Sequence, residues 1–253
     1  MQPKNLKSED FLSELKALNA NLQIVVAFRM LPEVVWKLPE YGTFNLHASL
    51  LPNYRGAAPI HWAIINGETQ TGVTTFFIDE RIDTGEILLS QSIAIGPDET
   101  VGQLHDRLMD IGSQLVVDTV KAIERGDVQT IPQPQSKDLK TAYKLHKDTC
   151  KIDWTASIEA IYNKIRGLNP FPAAWCYLEN NGQSEAIKLF GCQKILDTHS
   201  YEVGSIYIKD KTLLVACQGG YIEIQELQLP NKRKMATASL LNGYNFSESA
   251  KML

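Results

Sequence analysis

A chain of 253 residues, 44% of them hydrophobic, is long enough for one large domain or two ordinary ones and can bury a core without disulfides. Its net charge of -4 and pI near 5.8 argue against a strongly basic nucleic-acid binder, although the balance is uneven: residues 1–150 carry 14 Lys and Arg against 19 Asp and Glu, and residues 151–253 carry 11 against 10. No apolar run approaches the roughly 20 residues of a membrane span, the opening MQPKNLKSEDF lacks a signal peptide's apolar core, and Cys150, Cys176, Cys192 and Cys217 show no spacing that would build a zinc site, as expected of reduced thiols in a cytoplasmic protein.

Ser8 reads as an N-cap, and Phe11, Leu12, Leu15 and Leu18 repeat at helical spacing. The apolar run QIVVAF at 23–28 has the length of a strand buried on both faces of a parallel sheet. Leu31-Pro32 opens a short helix with Val34, Val35 and Trp36, ended by Pro39 and Gly42, and 43–46 is the next strand. Residues 48–56 hold Pro52, Asn53 and Gly56, which is turn chemistry. Pro59 sits in the first turn of a helix over 58–66, closed by Gly67. The β-branched alternation of 71–78 predicts a strand, 86–95 a second, and the turn between them carries Asp83, Thr84 and Gly85. Thr100 and Gln103 form a capping box for a long amphipathic helix that reaches Arg125 and stops at Gly126.

Residues 127–150 are polar, contain Pro132 and Pro134 and show no period, so they predict a linker with some fixed contacts. Beyond them 155–166 predicts a helix closed by Gly167. Short strands follow at 174–178, 186–193, 204–208, 212–216 and 221–225, and their regular spacing with Gly and Asn turns suggests a small barrel. The expected organisation is an α/β domain over 1–126, a linker over 127–150 and a mainly β domain over 151–253.

Asn45 and His47 lie two apart on a strand and share a face. At the carboxyl end of a parallel strand that face opens on the crevice where α/β sheets bind ligands. An amide can donate to an oxygen gaining negative charge, and an imidazole can move a proton at neutral pH. Asp83, from the adjacent strand end, can orient and charge-stabilise the His. The competing reading of a strand-end His is structural. Ser49, Leu50, Leu51 and Pro52 make an apolar loop, either packed on its own core or forming one wall of a pocket for a flat heteroaromatic ligand. Arg55-Gly56 can meet an anion or be solvated, and His61 reads as packing. Lys232, Arg233 and Lys234 are the one dense basic cluster, either a solvated run or a contact for nucleic-acid phosphates. No GxSxG, Walker, HExxH or GxGxxG pattern occurs, so no metal site or nicotinamide cofactor is expected.

Four stretches resemble the folate-dependent formyltransferases: NLHASLLPNYRGAAPIHWAI, GVTTFFIDERIDTGEIL, IRGLNPFPAAW and LPNKRKMATASLLNG. The first two are similar to the family at large, and the last two to the C-terminal domain of its members that act on charged tRNA. The resemblance runs from about residue 10 to about residue 245. It implies an open, mainly parallel sheet followed by a small OB-like β-barrel domain. It places Asn45, His47 and Asp83 in the catalytic trio and Ser49, Leu50, Leu51 and Pro52 in the folate-binding segment. It assigns tRNA contact to Lys232, Arg233 and Lys234. The implied reaction moves the formyl group of 10-formyltetrahydrofolate to the amine of methionyl-initiator tRNA, without a metal, in a cytoplasmic monomer. Family members open with a strand–helix–strand portion ahead of the helix near Ser8, so the catalytic domain is expected to be incomplete at its N-terminus, with a sheet edge exposed. The alternatives are a relative that formylates a sugar amine or glycinamide ribonucleotide, and a non-catalytic remnant.

Overall fold

A computed structural model describes residues 1–27 and 29–253. In chain order the elements are α1 (Glu9–Ala17), β1 (Gln23–Val25), α2 (Glu33–Trp36), β2 (Thr43–His47), β3 (Arg55–Gly56), α3 (Pro59–Ile65), β4 (Gln70–Phe77), β5 (Ile87–Ala94), α4 (Val101–Arg125) and β6 (Thr141–Ala142). They continue with α5 (Ile158–Leu168), β7 (Ala174–Asn180), β8 (Gln183–Leu189), β9 (Cys192–Leu196), β10 (Ile206–Lys209), β11 (Thr212–Cys217), β12 (Gly220–Ile224), β13 (Glu226–Gln228), β14 (Met235–Ala236), α6 (Thr237–Leu240) and β15 (Lys251–Met252). The chain forms two compact units. Unit 1 holds residues 1–59, 70–94 and 106–143, and unit 2 holds 60–69, 95–105 and 144–253. The expected linker is therefore divided: 127–143 group with unit 1, where Ile131 bridges Ile87 and β6 pairs β3.

Unit 1 is built on a four-stranded sheet in the order β1-β2-β4-β5. The mainly parallel sheet expected from the sequence needs a correction. Only β1 and β2 run parallel, joined through α2, while β2–β4 and β4–β5 are antiparallel. For β4 and β5 the reason is the turn over residues 78–86, which folds β5 straight back along β4 as a hairpin; β4 runs against β2 although α3 lies between them in the chain. A second correction concerns the run at 23–28. Its strand covers Gln23–Val25, Phe28 lies outside the described residues, and the strand is not buried on both faces. β1 is a sheet edge, Ile24 is 44% and Val26 57% exposed, and α1 buries none of its residues. On the other strands burial is deep: Phe44, Val73, Phe76 and Leu88 are all core residues.

The long helix α4 follows the predicted capping box. Thr100 N–H donates to Gln103 Oε1 at 2.9 Å, Gln103 N–H to Thr100 Oγ1 at 3.3 Å, and Gly126 ends the helix at φ +69°. Gly112 lets this helix approach the sheet, since a Cβ there would lie 2.9 Å from the Leu46 side chain.

Unit 2 has a dry core in which Ile161, Ile165, Leu168, Leu178, Ile187, Leu189, Leu213 and Ile222 are each at most 1% exposed. The expected OB-like barrel takes the form of two antiparallel sheets, β10-β11-β12-β9 and β14-β13-β8-β7-β15, with no closed barrel ladder among the described residues. Strands pass from one sheet to the other beside Gly191 and Gln225, whose backbones pair at 2.8 Å, and a single bridge from Ser205 to Lys251 joins the opposite side. Gly191 and Gln225 break the ladders because strands must bend sharply to turn a sheet onto itself. The helix expected to close at Gly167 instead runs through it to Leu168. A Cβ at Gly167 would meet Ile65 Cγ1 at 2.8 Å, so this glycine serves close packing, and the helix stops before Asn169-Pro170, where α geometry is disfavoured.

Candidate active site

β2 ends at His47, and its parallel pairing with β1 sets Val25 opposite Asn45. Asn45 is 3% exposed and its Nδ2 donates to Val25 O at 2.8 Å. One of the two amide N–H groups is thereby used, which fixes the amide plane and leaves the second to donate elsewhere. His47 is 7% exposed and packs edge-on to Phe76, with ring centroids 6.4 Å apart. Its Nε2 lies 2.8 Å from Tyr54 O. A carbonyl only accepts, so Nε2 carries the proton, and Nδ1 is the nitrogen turned to Asp83.

Asp83 sits in the turn after β4, in the left-handed conformation at φ +54° that a short polar side chain tolerates. The turn is held from within by Asp79, whose carboxylate accepts from Arg81 N–H at 2.9 Å and from Thr84 Oγ1 at 2.7 Å. Asp83 Oδ2 accepts the Gly56 N–H at 2.8 Å and lies 3.8 Å from His47 Nδ1. That separation is ion-pair distance once the imidazole is protonated, and too long for a direct hydrogen bond. Orientation and charge are thus divided. The Tyr54 carbonyl orients the ring, and the carboxylate supplies negative charge beside Nδ1.

The apolar loop holds itself in place. Ser49 is fully buried, its Oγ donates to Asn53 O at 2.7 Å, and its carbonyl accepts from Thr74 Oγ1 at 2.7 Å. Leu51 is 8% exposed and precedes a cis-Pro52, while Leu50 and Pro52 are half-buried. Ser49 and Leu51 therefore build the loop, while Leu50 and Pro52 stay half-buried, with the Leu50 side chain lying against Gly72 of β4. Two cavities, of about 500 and 480 Å³, lie in unit 2, lined in part by Trp154 and Lys251 and by Tyr162 and Arg166. Neither is lined by the trio or by residues 49–52.

Several partners escape a motif reading: the Tyr54 carbonyl, the Gly56 N–H and Gln133. The first two are backbone groups with no side-chain signature. Gln133 had a usable signal, a polar residue pinned between Pro132 and Pro134. Arg55 is not a free cation, because its Nε and Nη2 donate to Gln133 Oε1 at 3.0 and 2.7 Å. Burial pushes its guanidinium pKa down, and Asp83 and Asp79 oppose that shift. His61 Nε2 lies 3.1 Å from Phe171 O, and burial lowers its pKa, which fits packing. Lys232, Arg233 and Lys234 lie on the exposed connection between β13 and β14, where Lys234 Nζ pairs with Glu226 Oε2 at 3.0 Å and sits over the Phe190 ring at 5.2 Å. Among the described residues no group of three or more His, Cys, Asp or Glu could hold a metal ion, and no helix is long and apolar enough to cross a membrane.

An amide and an imidazole beside a carboxylate are the groups that acyl chemistry at a small carbonyl calls for. The comparisons define the class. Residues 1–120 match the family described as formyl transferase, and residues 144–245 match the formyl transferase C-terminal domain. The chain belongs to the formyltransferases, enzymes that transfer a formyl group and take it from formyl-tetrahydrofolate. Its similarity is to methionyl-tRNA formyltransferases in particular. That of Flavobacterium johnsoniae is 60% identical over 252 residues, covering 100% of this chain and 80% of the relative. That of Flavobacterium psychrophilum is 55% identical, covering 99% and 79%, and that of Bacteroides fragilis 48%, covering 100% and 79%. The fold is shared with the crystal structure of HypX from Aquifex aeolicus in complex with tetrahydrofolic acid, at TM-score 0.69 and 20% identity over 92% of this chain and 40% of that one. It is also shared with WlaRD, a sugar 3N-formyl transferase, at TM-score 0.62 and 19% identity over 83% and 73%.

Proposed function

We propose that this enzyme formylates the α-amino group of methionyl-initiator tRNA with 10-formyltetrahydrofolate, for translation initiation, as a monomer in the cytoplasm. The observation that carries this reading is the 60% identity to a methionyl-tRNA formyltransferase over 252 residues, which runs through both units. The donor set suits the co-substrate, because Asn45 keeps an unused amide N–H and His47 keeps Nδ1 turned away from its backbone partner. 10-Formyltetrahydrofolate supplies the electrophilic formyl carbon.

The free amine attacks that carbon, and negative charge grows on the formyl oxygen. Asn45 donates to this oxygen through its uncommitted N–H, and protonated His47 stabilises the same charge. Asp83, 3.8 Å from Nδ1, balances the imidazolium and relays the proton of the attacking nitrogen through water to the folate nitrogen, which leaves as tetrahydrofolate when the intermediate collapses and the bond from the formyl carbon to that nitrogen breaks. Ser49 and Leu51 hold the loop so that Leu50 and Pro52 meet the folate. Lys232 and Arg233 meet tRNA phosphates, with Lys234 contributing less because Glu226 already neutralises it.

The test is purified enzyme given 10-formyltetrahydrofolate with charged initiator tRNA, a nucleotide-sugar amine or glycinamide ribonucleotide. Formylation of the tRNA alone is expected. Turnover of a small amine with the tRNA untouched would replace the acceptor, and binding of folate with no turnover on any acceptor would leave a non-catalytic remnant.

A further inference from the structure

Gln133 stands outside the trio and outside the loop, yet it reaches both segments that carry the trio's partners. Its Oε1 accepts from Arg55 Nε at 3.0 Å and from Arg55 Nη2 at 2.7 Å. Its Nε2 donates to the backbone carbonyls of Asp83 at 3.1 Å and Gly85 at 2.6 Å. A primary amide has one acceptor oxygen and two N–H donors, so every polar group of this side chain is engaged. No acidic or basic side chain of similar size offers both faces.

The two segments it joins must stay in register. The Arg55–Gly56 segment gives Asp83 its N–H at 2.8 Å, and the adjacent Tyr54 gives His47 its carbonyl at 2.8 Å. Asp83 itself is in the left-handed conformation, so the geometry of its turn is set by the groups that hold it from outside. The amide also closes the circuit from a third direction, since Ile131 pairs with Ile87 through two backbone hydrogen bonds of 2.9 Å just before Gln133. All of these residues belong to unit 1.

We infer that Gln133 is a positioning residue for the formyl transfer: its amide fixes the Asp83 turn against the Arg55 segment and so sets the carboxylate beside His47. This rests on the proposed reaction. A displacement of about 1 Å in a catalytic group is enough to cost on the order of a hundredfold, so a lost positioning residue is read in kcat.

Gln133→Glu separates this role from simple support of Arg55. The carboxylate keeps both acceptor contacts to the guanidinium and loses both N–H donors to the turn. The expected result is a fall in kcat of about tenfold or more, with KM for tRNA and for 10-formyltetrahydrofolate within about twofold and the thermal midpoint near that of wild type. Gln133→Ala, which loses both faces, is expected to fall at least as far. If Gln133→Ala does not fold, Gln133→Glu still decides. Gln133→Glu turning over within about twofold of wild type would overturn the inference, as would a loss confined to KM. Wild-type enzyme in the same assay keeps the two claims apart: if it leaves charged tRNA unformylated the proposed reaction fails, and if it turns over while the variants match it only the role of Gln133 fails.

Discussion

The two units use their interiors differently. Unit 1 buries Thr43, Asn45, His47, Ser49, Thr74, Thr75 and Thr119, and leaves Ile24, Val26, Met30 and Val34 on its surface. Unit 2 fills its interior mainly with Ile and Leu beside Trp154, Tyr162, Cys176, Cys217 and Met252, and the polar side chains it buries among the described residues are Arg166, Asn180 and Thr237. An unsatisfied buried polar group costs about 1–3 kcal/mol, so the interior of unit 1 is tolerable only because its groups are paired. Thr43 donates to Trp36 O at 2.7 Å, Thr74 to Ser49 O at 2.7 Å, and Thr75 and Thr119 share a hydrogen bond of 2.8 Å. Such a network adds little net stability but allows few alternative geometries, which is what charge stabilisation at a reacting carbonyl requires. Unit 2 is held by burial, which stabilises strongly and without direction.

The contrast breaks if the wrong unit governs the wrong property. The largest expected effect is kinetic: Asn45→Ala and His47→Ala should each lose on the order of a hundredfold or more in kcat, with a smaller loss of stability of about 1–3 kcal/mol because each leaves a backbone carbonyl, Val25 O or Tyr54 O, without its partner. Steady-state formylation and a melting curve check both halves, and near wild-type turnover would remove that residue from the mechanism. In unit 2 the expectation reverses. Leu213 is fully buried, so Leu213→Ala should cost about 2–5 kcal/mol in urea unfolding and leave kcat at low temperature nearly unchanged.

A smaller effect sharpens the dry core. Burial pushes the Cys176 thiol from 9.0 up to about 12, so the folded state binds its proton more tightly than the unfolded state. The corresponding stability is present below pH 9 and is lost as pH rises from there towards 12. The melting temperature should therefore fall above pH 9, and Cys176→Ala should show a flatter alkaline decline from a lower starting value. A decline equally steep in the variant would assign the alkaline sensitivity elsewhere. The smallest effects belong to the exposed basic cluster. Lys232→Ala and Arg233→Ala should raise KM for tRNA a few-fold, more so at low salt. Lys234→Ala should do less, because its ammonium is already paired. Equal effects from all three, measured at two salt concentrations, would show that the Glu226 pairing does not persist when tRNA binds.

Local pattern determined a good deal of this molecule. The capping box at Thr100, the stop at Gly126 and the same-face spacing of Asn45 and His47 are nearest-neighbour properties and are realised where they were read, and the strand expected over 71–78 forms at Gln70–Phe77, although its burial does not alternate. The four motif stretches carried the family as well, because side-chain chemistry at fixed spacing is written directly in the chain. Strand direction, burial and partnership are not local quantities. Whether 23–25 lies at an edge, whether β4 runs against β2, and whether Gly167 caps a helix or packs inside one depend on what lies across from them. The same holds for the site. Three side chains were legible, but the Tyr54 carbonyl, the Gly56 N–H and the Gln133 amide that hold them act through contacts 7, 27 and about 50 residues away in the chain, and only the folded backbone brings those groups within hydrogen-bond reach.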